Sequence, residues 1–242
     1  MQIQWQSPLV LPSILENHVH IWKIEPAQIT KDLLYFKKIL SEKETTRANK
    51  LTLPKVKNNF IISRGILRAL LAKYTRQKPE ELIFEENQYG KLFLKTSSNI
   101  FFNLSHSNDL TLLAFTLKNQ IGIDVEFIRQ NIDIESIAKK YFSSRETLEL
   151  LNVSPEKKIP AFFNCWARKE AFIKAIGLGL SYQLSKFDVD VTSFGTKQIP
   201  INIKDPVYAQ QNWQLFSLGL EENYAAAMVV ENPVTEILFL KY

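Results

Sequence analysis

The chain has 242 residues, 45% of them hydrophobic and 23% charged, with 30 basic against 25 acidic side chains and a formal net charge of +5. That is enough apolar material for a buried core in one large domain or two ordinary ones. It leaves no room for a transmembrane helix, since no apolar run approaches the roughly 20 residues a bilayer requires. With a single cysteine, Cys165, and three histidines, an internal disulfide is excluded and a structural zinc site is not expected. The opening "MQIQWQSPLVLPS" lacks the basic start and long apolar centre of a signal peptide, so a soluble cytoplasmic protein is expected. A modest positive charge suits an anionic partner, or simply a soluble surface. The basic residues of 36–59 are interleaved with acids, unlike a nucleic-acid-binding tail, which leaves nucleic acid, an acidic protein or a phosphorylated small molecule open as the partner.

Taken in chain order, "VHIWKIEP" (19–26) alternates like a strand and "TKDLLYFKKIL" (30–40) has helical spacing. Ser41 with Glu44 three positions later has the spacing of a capping box, which predicts a helix start. Residues 58–75 read as an amphipathic helix with Ile62, Ile66, Ala69, Leu70 and Tyr74 on one side. Short strands follow around 82–85 and 92–94, joined through the turn-like "NQYGK", and then "NIFFNLSHS" and "LTLLAFTL" (110–117). The second half repeats the order: a helix over 161–177, a strand at 187–192, and strands at 213–220 and 224–231. The expected fold is therefore α+β, with two similar pseudo-repeat halves over 1–118 and 119–242. Each half is a long helix packed on a small, mainly antiparallel sheet, with a cleft between them.

"IGIDVEFI" (121–128) carries the first chemistry. On a strand, Ile121, Ile123, Val125 and Phe127 share one face while Gly122, Asp124 and Glu126 share the other. Two carboxylates roughly 6.5–7 Å apart at their backbones repel each other unless a cation lies between them, and oxygen ligands of this kind favour Mg²⁺. A solvent-facing pair of acids on an edge strand is the plain alternative. On the helix "AFFNCWARKEAFIKAIG", Glu170 and Lys174 stand four apart on one face among Phe162, Phe163, Trp166 and Phe172, so the acid needs a partner. Gly177 is placed to end this helix in a left-handed cap. His106, between Ser105 and Ser107, has no G-x-S-x-G elbow around it, which argues against a hydrolase triad. It could bind phosphate or be a satisfied structural histidine. Cys165 reads as a core residue, and His18 and His20 receive no role.

In this order, "FNLSHS" (102–107), "IGIDVE" (121–126), "WARKEAFIKAIGLGL" (166–180) and "FDV" (187–189) resemble the two-domain 4′-phosphopantetheinyl transferases of the Sfp type. "SEKE" (41–44), "ISRGILRALLAKY" (62–74) and "QYGK" (88–91) add weaker matches, so the resemblance spans roughly residues 40–190. It is the combination of G-I-D-x-E with W-x-x-K-E-A-x-x-K that makes it specific. It implies Asp124, Glu126 and Glu170 as ligands of Mg²⁺ (or Mn²⁺), with coenzyme A as co-substrate in the cleft. With the phosphates of coenzyme A implied as the anionic partner, neither nucleic acid nor membrane is expected. It also implies transfer of the phosphopantetheine arm to a serine of an apo acyl or peptidyl carrier protein, with release of 3′,5′-ADP. Glu170, or a water it holds, would be the base, and Lys174 would stabilise developing charge beside Asp124.

The same resemblance places Ser105 and His106 near the 3′-phosphate, Lys91 near the nucleotide, Lys43 near the phosphates, and Lys169 and Lys174 along the same site. The chain departs from the pattern at Thr46, where a second lysine is common. It departs again at Asn59, where an arginine often grips the 3′-phosphate, and at Leu92, which replaces a proline. Arg47 or Arg64 is the expected replacement charge. The carrier, typically acidic and transiently bound, would meet the segment after Gly177, where Leu178, Leu180 and Tyr182 are expected to be exposed near Lys186. A cleft completed within one chain favours a monomer. D-x-E with a distant E-x-x-x-K could instead serve a Mg²⁺-dependent phosphohydrolase or nuclease, and the positive charge a binding module without chemistry.

Overall fold

The computed structural model describes residues 3–95, 98–221 and 223–242. The chain opens with β1 (His18–Ile24), α1 (Leu33–Ile39), α2 (Glu42–Asn49) and α3 (Pro54–Thr75), followed by β2 (Phe84–Glu86), β3 (Leu92–Leu94), β4 (Ile100–Ser107) and β5 (Leu110–Leu117). It continues with β6 (Ile121–Phe127), α4 (Ile134–Tyr141), α5 (Ser144–Leu151) and α6 (Pro155–Ile176). The remainder is β7 (Phe187–Val189), β8 (Lys197–Ile199), β9 (Ile201–Ile203), α7 (Pro206–Ala209), β10 (Trp213–Leu218), β11 (Tyr224–Glu231) and β12 (Glu236–Lys241). The fold is mixed α and β. No described helix is long and apolar enough to cross a membrane.

Two four-stranded sheets dominate, in the orders β12-β1-β5-β4 and β6-β11-β10-β8. All their pairings are antiparallel except β12 with β1, which runs parallel from His18↔Glu236 to Lys23↔Lys241. A division at 118/119 therefore separates the two sheets except for β12, which returns to the first. Three apolar cores lie one behind another. Ile62, Ile66 and Leu70 of α3 pack against Trp22, Phe102 and Phe115 of the first sheet. Between the sheets, Ile21, Leu112 and Ala114 meet Ile121, Ile123, Val125 and Met228. Behind the second sheet, Phe163, Ala167, Ala171 and Phe172 of α6 cover Leu215, Ala227 and Val229.

Local chemistry accounts for the element ends. The predicted capping box at Ser41 and Glu44 is present, and a second one at Ser143 and Glu146 opens α5. Both long helices have 22 residues and start at a proline in the first turn, where the missing N–H costs nothing, so they begin before the positions 58 and 161 expected from periodicity. Both end on a left-handed residue, Arg76 and the expected Gly177 (φ +74°). From Ile61 to Ala72, α3 is buried all round rather than on one face, because α1 covers its far side and Phe36 lies against Gly65. The strand expected over 187–192 is shorter, and α4, α5 and β12 have no counterpart among the expected elements.

Candidate active site

β6 alternates as expected. Ile121, Ile123 and Val125 enter the core between the sheets, while Gly122, Asp124 and Glu126 turn toward α6. A Cβ on Gly122 would lie 2.1 Å from the Ala171 carbonyl oxygen and 2.3 Å from the Ala175 nitrogen. Only glycine lets the helix backbone come this close, and that approach carries Glu170 and Lys174 over the strand's two acids.

The cation that lets these acids coexist belongs to the chain itself. Lys174 Nζ lies 2.6 Å from Asp124 Oδ1 and 2.8 Å from Ser105 Oγ, and Ser105 donates to the same Oδ1 at 2.9 Å. Asp124 is buried, and its second oxygen, Oδ2, has no hydrogen-bond partner. Glu126 accepts from Ser107 Oγ at 3.3 Å. Burial and the neighbouring Asp124 raise the Glu126 carboxyl above its usual range. Glu170 is pushed up to about 7, first by burial and then by Asp124 and Glu126, with Lys174 opposing. Three carboxylates thus converge electrostatically around one ammonium. Among the described residues, no group of three His, Cys, Asp or Glu side chains is arranged to hold a metal ion as it stands.

Beside the acids opens a cleft of about 380 Å³, lined by Glu170, Lys174, Arg47, Arg64 and His106 among others. A second hollow of about 570 Å³ adjoins it, sharing Arg47, Phe60, Arg64 and Leu92 and adding Lys43 and Lys50. The Arg47 and Arg64 guanidinium groups both stand over the Phe60 ring, at 5.6 and 5.7 Å. Arg64 is nine-tenths buried, yet one of its terminal nitrogens has no hydrogen-bond partner. A concave site lined by a carboxylate, an ammonium and two guanidinium groups, with two further acids beside it, suits a polyanion that also binds a cation.

Comparison with known proteins follows this geometry. Residues 23–118 match the family model described as "4′-phosphopantetheinyl transferase, N-terminal", and residues 120–229 match that of the 4′-phosphopantetheinyl transferase superfamily. The chain is 34% identical over 223 residues to the 4′-phosphopantetheinyl transferase HetI of Nostoc sp., covering 90% of each chain. It belongs to the 4′-phosphopantetheinyl transferase family. The transferase is also 32% identical over 140 residues to Sfp of Bacillus subtilis, across 58% of this chain and 60% of that one. A holo-[acyl-carrier-protein] synthase from Thermotoga maritima is similar at 20% identity and a TM-score of 0.35, over 47% of this chain and 63% of its own.

Several expected site residues sit elsewhere in the transferase. Lys169 is wholly buried and away from the cleft. It pairs with Glu146 at 2.8 Å and donates to the Leu184 and Phe187 carbonyls, because one residue along a helix turns a side chain by about 100° from Glu170. Lys91 lines the cleft, but its ammonium donates to the carbonyls of Ala175 and Ile121 and to Gln120, tying the end of α6 to β6. Burial lowers it to about 8. Ser105 and His106 point to opposite sides, and Ser105 is spent on Asp124 rather than facing a phosphate with His106. Lys43 is exposed and pairs with Glu86 at 3.3 Å. In the segment after Gly177, Leu180 is exposed, but Tyr182 is buried against Phe172 and Phe187, and Leu178 packs against the same core. Sequence reasoning missed Phe60 and Asn87. Asn87 accepts from the Tyr89 and Lys91 N–H groups and donates to the Gly177 carbonyl, the local bonding that "NQYGK" hints at.

Proposed function

We propose that the chain transfers the 4′-phosphopantetheine group of coenzyme A to a serine hydroxyl of an apo acyl or peptidyl carrier protein, releasing 3′,5′-ADP. The observation that carries this reading is a single cleft joining Glu170 and Lys174 to Arg47 and Arg64. Coenzyme A has a pyrophosphate and a 3′-phosphate, and needs positive charge at two separated places. In this reading Lys174 meets the pyrophosphate and Arg64 and Arg47 meet the 3′-phosphate in the absence of an arginine at Asn59, with His106 lining the same cleft. Lys43 stands at the mouth of the adjoining hollow.

Asp124, Glu126 and Glu170 suit a dication chemically, since Asp124 Oδ2 is buried without a partner, and burial and the neighbouring Asp124 raise the carboxyls of both Glu126 and Glu170. Mg²⁺ held there would neutralise pyrophosphate oxygens. Glu170, or a water it holds, takes the proton of the carrier serine as its oxygen attacks the β-phosphorus. The bond from that phosphorus to the bridging oxygen breaks, and Lys174 offsets charge on the departing 3′,5′-ADP. A net-positive surface attracts an acidic carrier domain for the lifetime of one turnover.

The halves are read as pseudo-repeats over 1–118 and 119–242, enclosing the cleft, with the protein acting as a monomer. Supporting this, β1-β5-β4 and β6-β11-β10 share one order, and α3 and α6 each carry their buried cation, Arg68 and Lys169, at the same distance from the opening proline. Each cation meets the glutamate of a preceding capping box, Glu44 or Glu146. The test mixes the purified chain with coenzyme A, Mg²⁺ and an apo carrier and weighs the carrier by mass spectrometry. A gain of one phosphopantetheine group, absent with Glu170→Gln, is expected. No gain across fatty-acid, polyketide and nonribosomal-peptide carriers refutes the reading.

A further inference from the structure

β4 and β6 are edge strands of different sheets and share no backbone ladder, yet they are stitched together by side chains. Asn103 Oδ1 accepts from the Ile123 N–H at 2.9 Å, Ser105 Oγ from Val125 N–H at 3.3 Å and Ser107 Oγ from Phe127 N–H at 2.9 Å. Two steps along one strand are two steps along the other in the same direction. The short polar side chains of "NLSHS" thus satisfy the free N–H groups of the strand that carries both acids.

The two serines also grip the carboxylates. Ser105 has one proton and two lone pairs. It gives the proton to Asp124 Oδ1, and its lone pairs accept from Val125 N–H and Lys174 Nζ. Lys174 bonds Oδ1 as well, so both partners hold the same oxygen and Oδ2 alone is left without one. Ser107, clamped by Phe127 N–H, donates in the same manner to Glu126 Oε2. Each hydroxyl is therefore fixed by the backbone one residue beyond the acid it holds.

We propose that Ser105 and Ser107 are positioning residues for the metal ligands. Their hydroxyls rotate Asp124 and Glu126 so that the oxygens they do not hold are offered to the dication. This rests on the reading of Asp124, Glu126 and Glu170 as the Mg²⁺ ligands, and it takes Ser105 out of phosphate binding. Partners that orient ligating carboxylates are worth about 10–100-fold in metal affinity.

The experiment titrates Mn²⁺ into the full chain with coenzyme A present and no carrier, following free Mn²⁺ by electron paramagnetic resonance. Ser105→Ala is expected to weaken binding by about tenfold or more, and Ser107→Ala to weaken it in the same direction. Ser107→Thr, which keeps the hydroxyl, restores both the affinity and the wild-type melting temperature. Should Ser105→Ala not fold, the Ser107 pair decides. Wild-type Mn²⁺ affinity in the serine variants, alongside lost affinity in Asp124→Ala, overturns the positioning role and leaves the ligand reading standing. Wild-type affinity in Asp124→Ala overturns both. A selective loss of affinity for coenzyme A over its 3′-dephospho form in Ser105→Ala returns the serine to the phosphate and overturns the proposal.

Discussion

Replacing Lys169 with methionine separates two readings of the W-x-x-K-E-A motif. The ammonium sits 2.8 Å from Glu146 Oε2, 2.8 Å from each of the Leu184 and Phe187 carbonyls, and 4.2 Å from the centre of the Phe187 ring. Both charged side chains are 0% exposed. Methionine fills much of the volume and removes every one of these contacts. Glu146 keeps the N–H groups of Ser143 and Val189 but loses its only counter-charge among the described contacts. Breaking one side of a buried pair costs about 3–5 kcal/mol. With a urea slope of about 1–3 kcal/mol per molar, the unfolding midpoint should fall by roughly 1–5 M. Tryptophan fluorescence follows the transition, since Trp213 lies in the same core. Below that transition, kcat and the KM for coenzyme A should match wild type, because Lys169 does not reach the cleft. An unchanged midpoint with a raised KM would refute this reasoning and restore the lysine to the phosphates.

Gly122→Ala should cost about 1–3 kcal/mol or more by forcing α6 off β6, and activity should fall with it; thermal melting and transfer rate measured together check both. Arg64→Ala should raise the KM for coenzyme A about tenfold or more, and much less for 3′-dephospho-coenzyme A, since a charge-assisted hydrogen bond contributes about 1.5–3 kcal/mol. His20, whose Nδ1 lies 2.7 Å from the Tyr74 hydroxyl and whose Nε2 is buried without a partner, is held down to about 4 by burial and by His18. Its folded value lies below the unfolded 6.5, so the unfolded chain takes the proton first, and stability drops as pH falls from 6.5 toward 4, by up to about 3 kcal/mol. Urea midpoints across that range should show a drop that His20→Gln lacks.

The chemistry on β6 was legible because a strand's period of two is absolute: Gly122, Asp124 and Glu126 had to share a face. Glu170 with Lys174 was legible for a similar reason, being about one helical turn apart. What could not be read was the distance between strand and helix, set by the missing Cβ of Gly122, or that Lys174 would reach Asp124. The resemblance carries Lys169 to the site along with Lys174, but a motif does not state which side of its helix each residue faces, and Lys169 turns to Glu146 instead. The helices α4 and α5 are short but amphipathic, with Ile134, Ile137, Ala138 and Tyr141 at helical spacing in α4, and Ser143 and Glu146 carry the same capping signal as Ser41 and Glu44, so both were open to reading. Nothing local marks β12, whose partner lies at the far end of the chain.

That last pairing has a consequence for how the molecule is made. β1 leaves the ribosome with its buried tryptophan and isoleucines before one of its two hydrogen-bonding neighbours, β12, which is translated after every other described strand. Until then one flank of β1 is an open template for other strands. The sheet that holds β1 can therefore close only after α6 has been synthesised, and a fragment stopping at 118 would be sticky rather than stable.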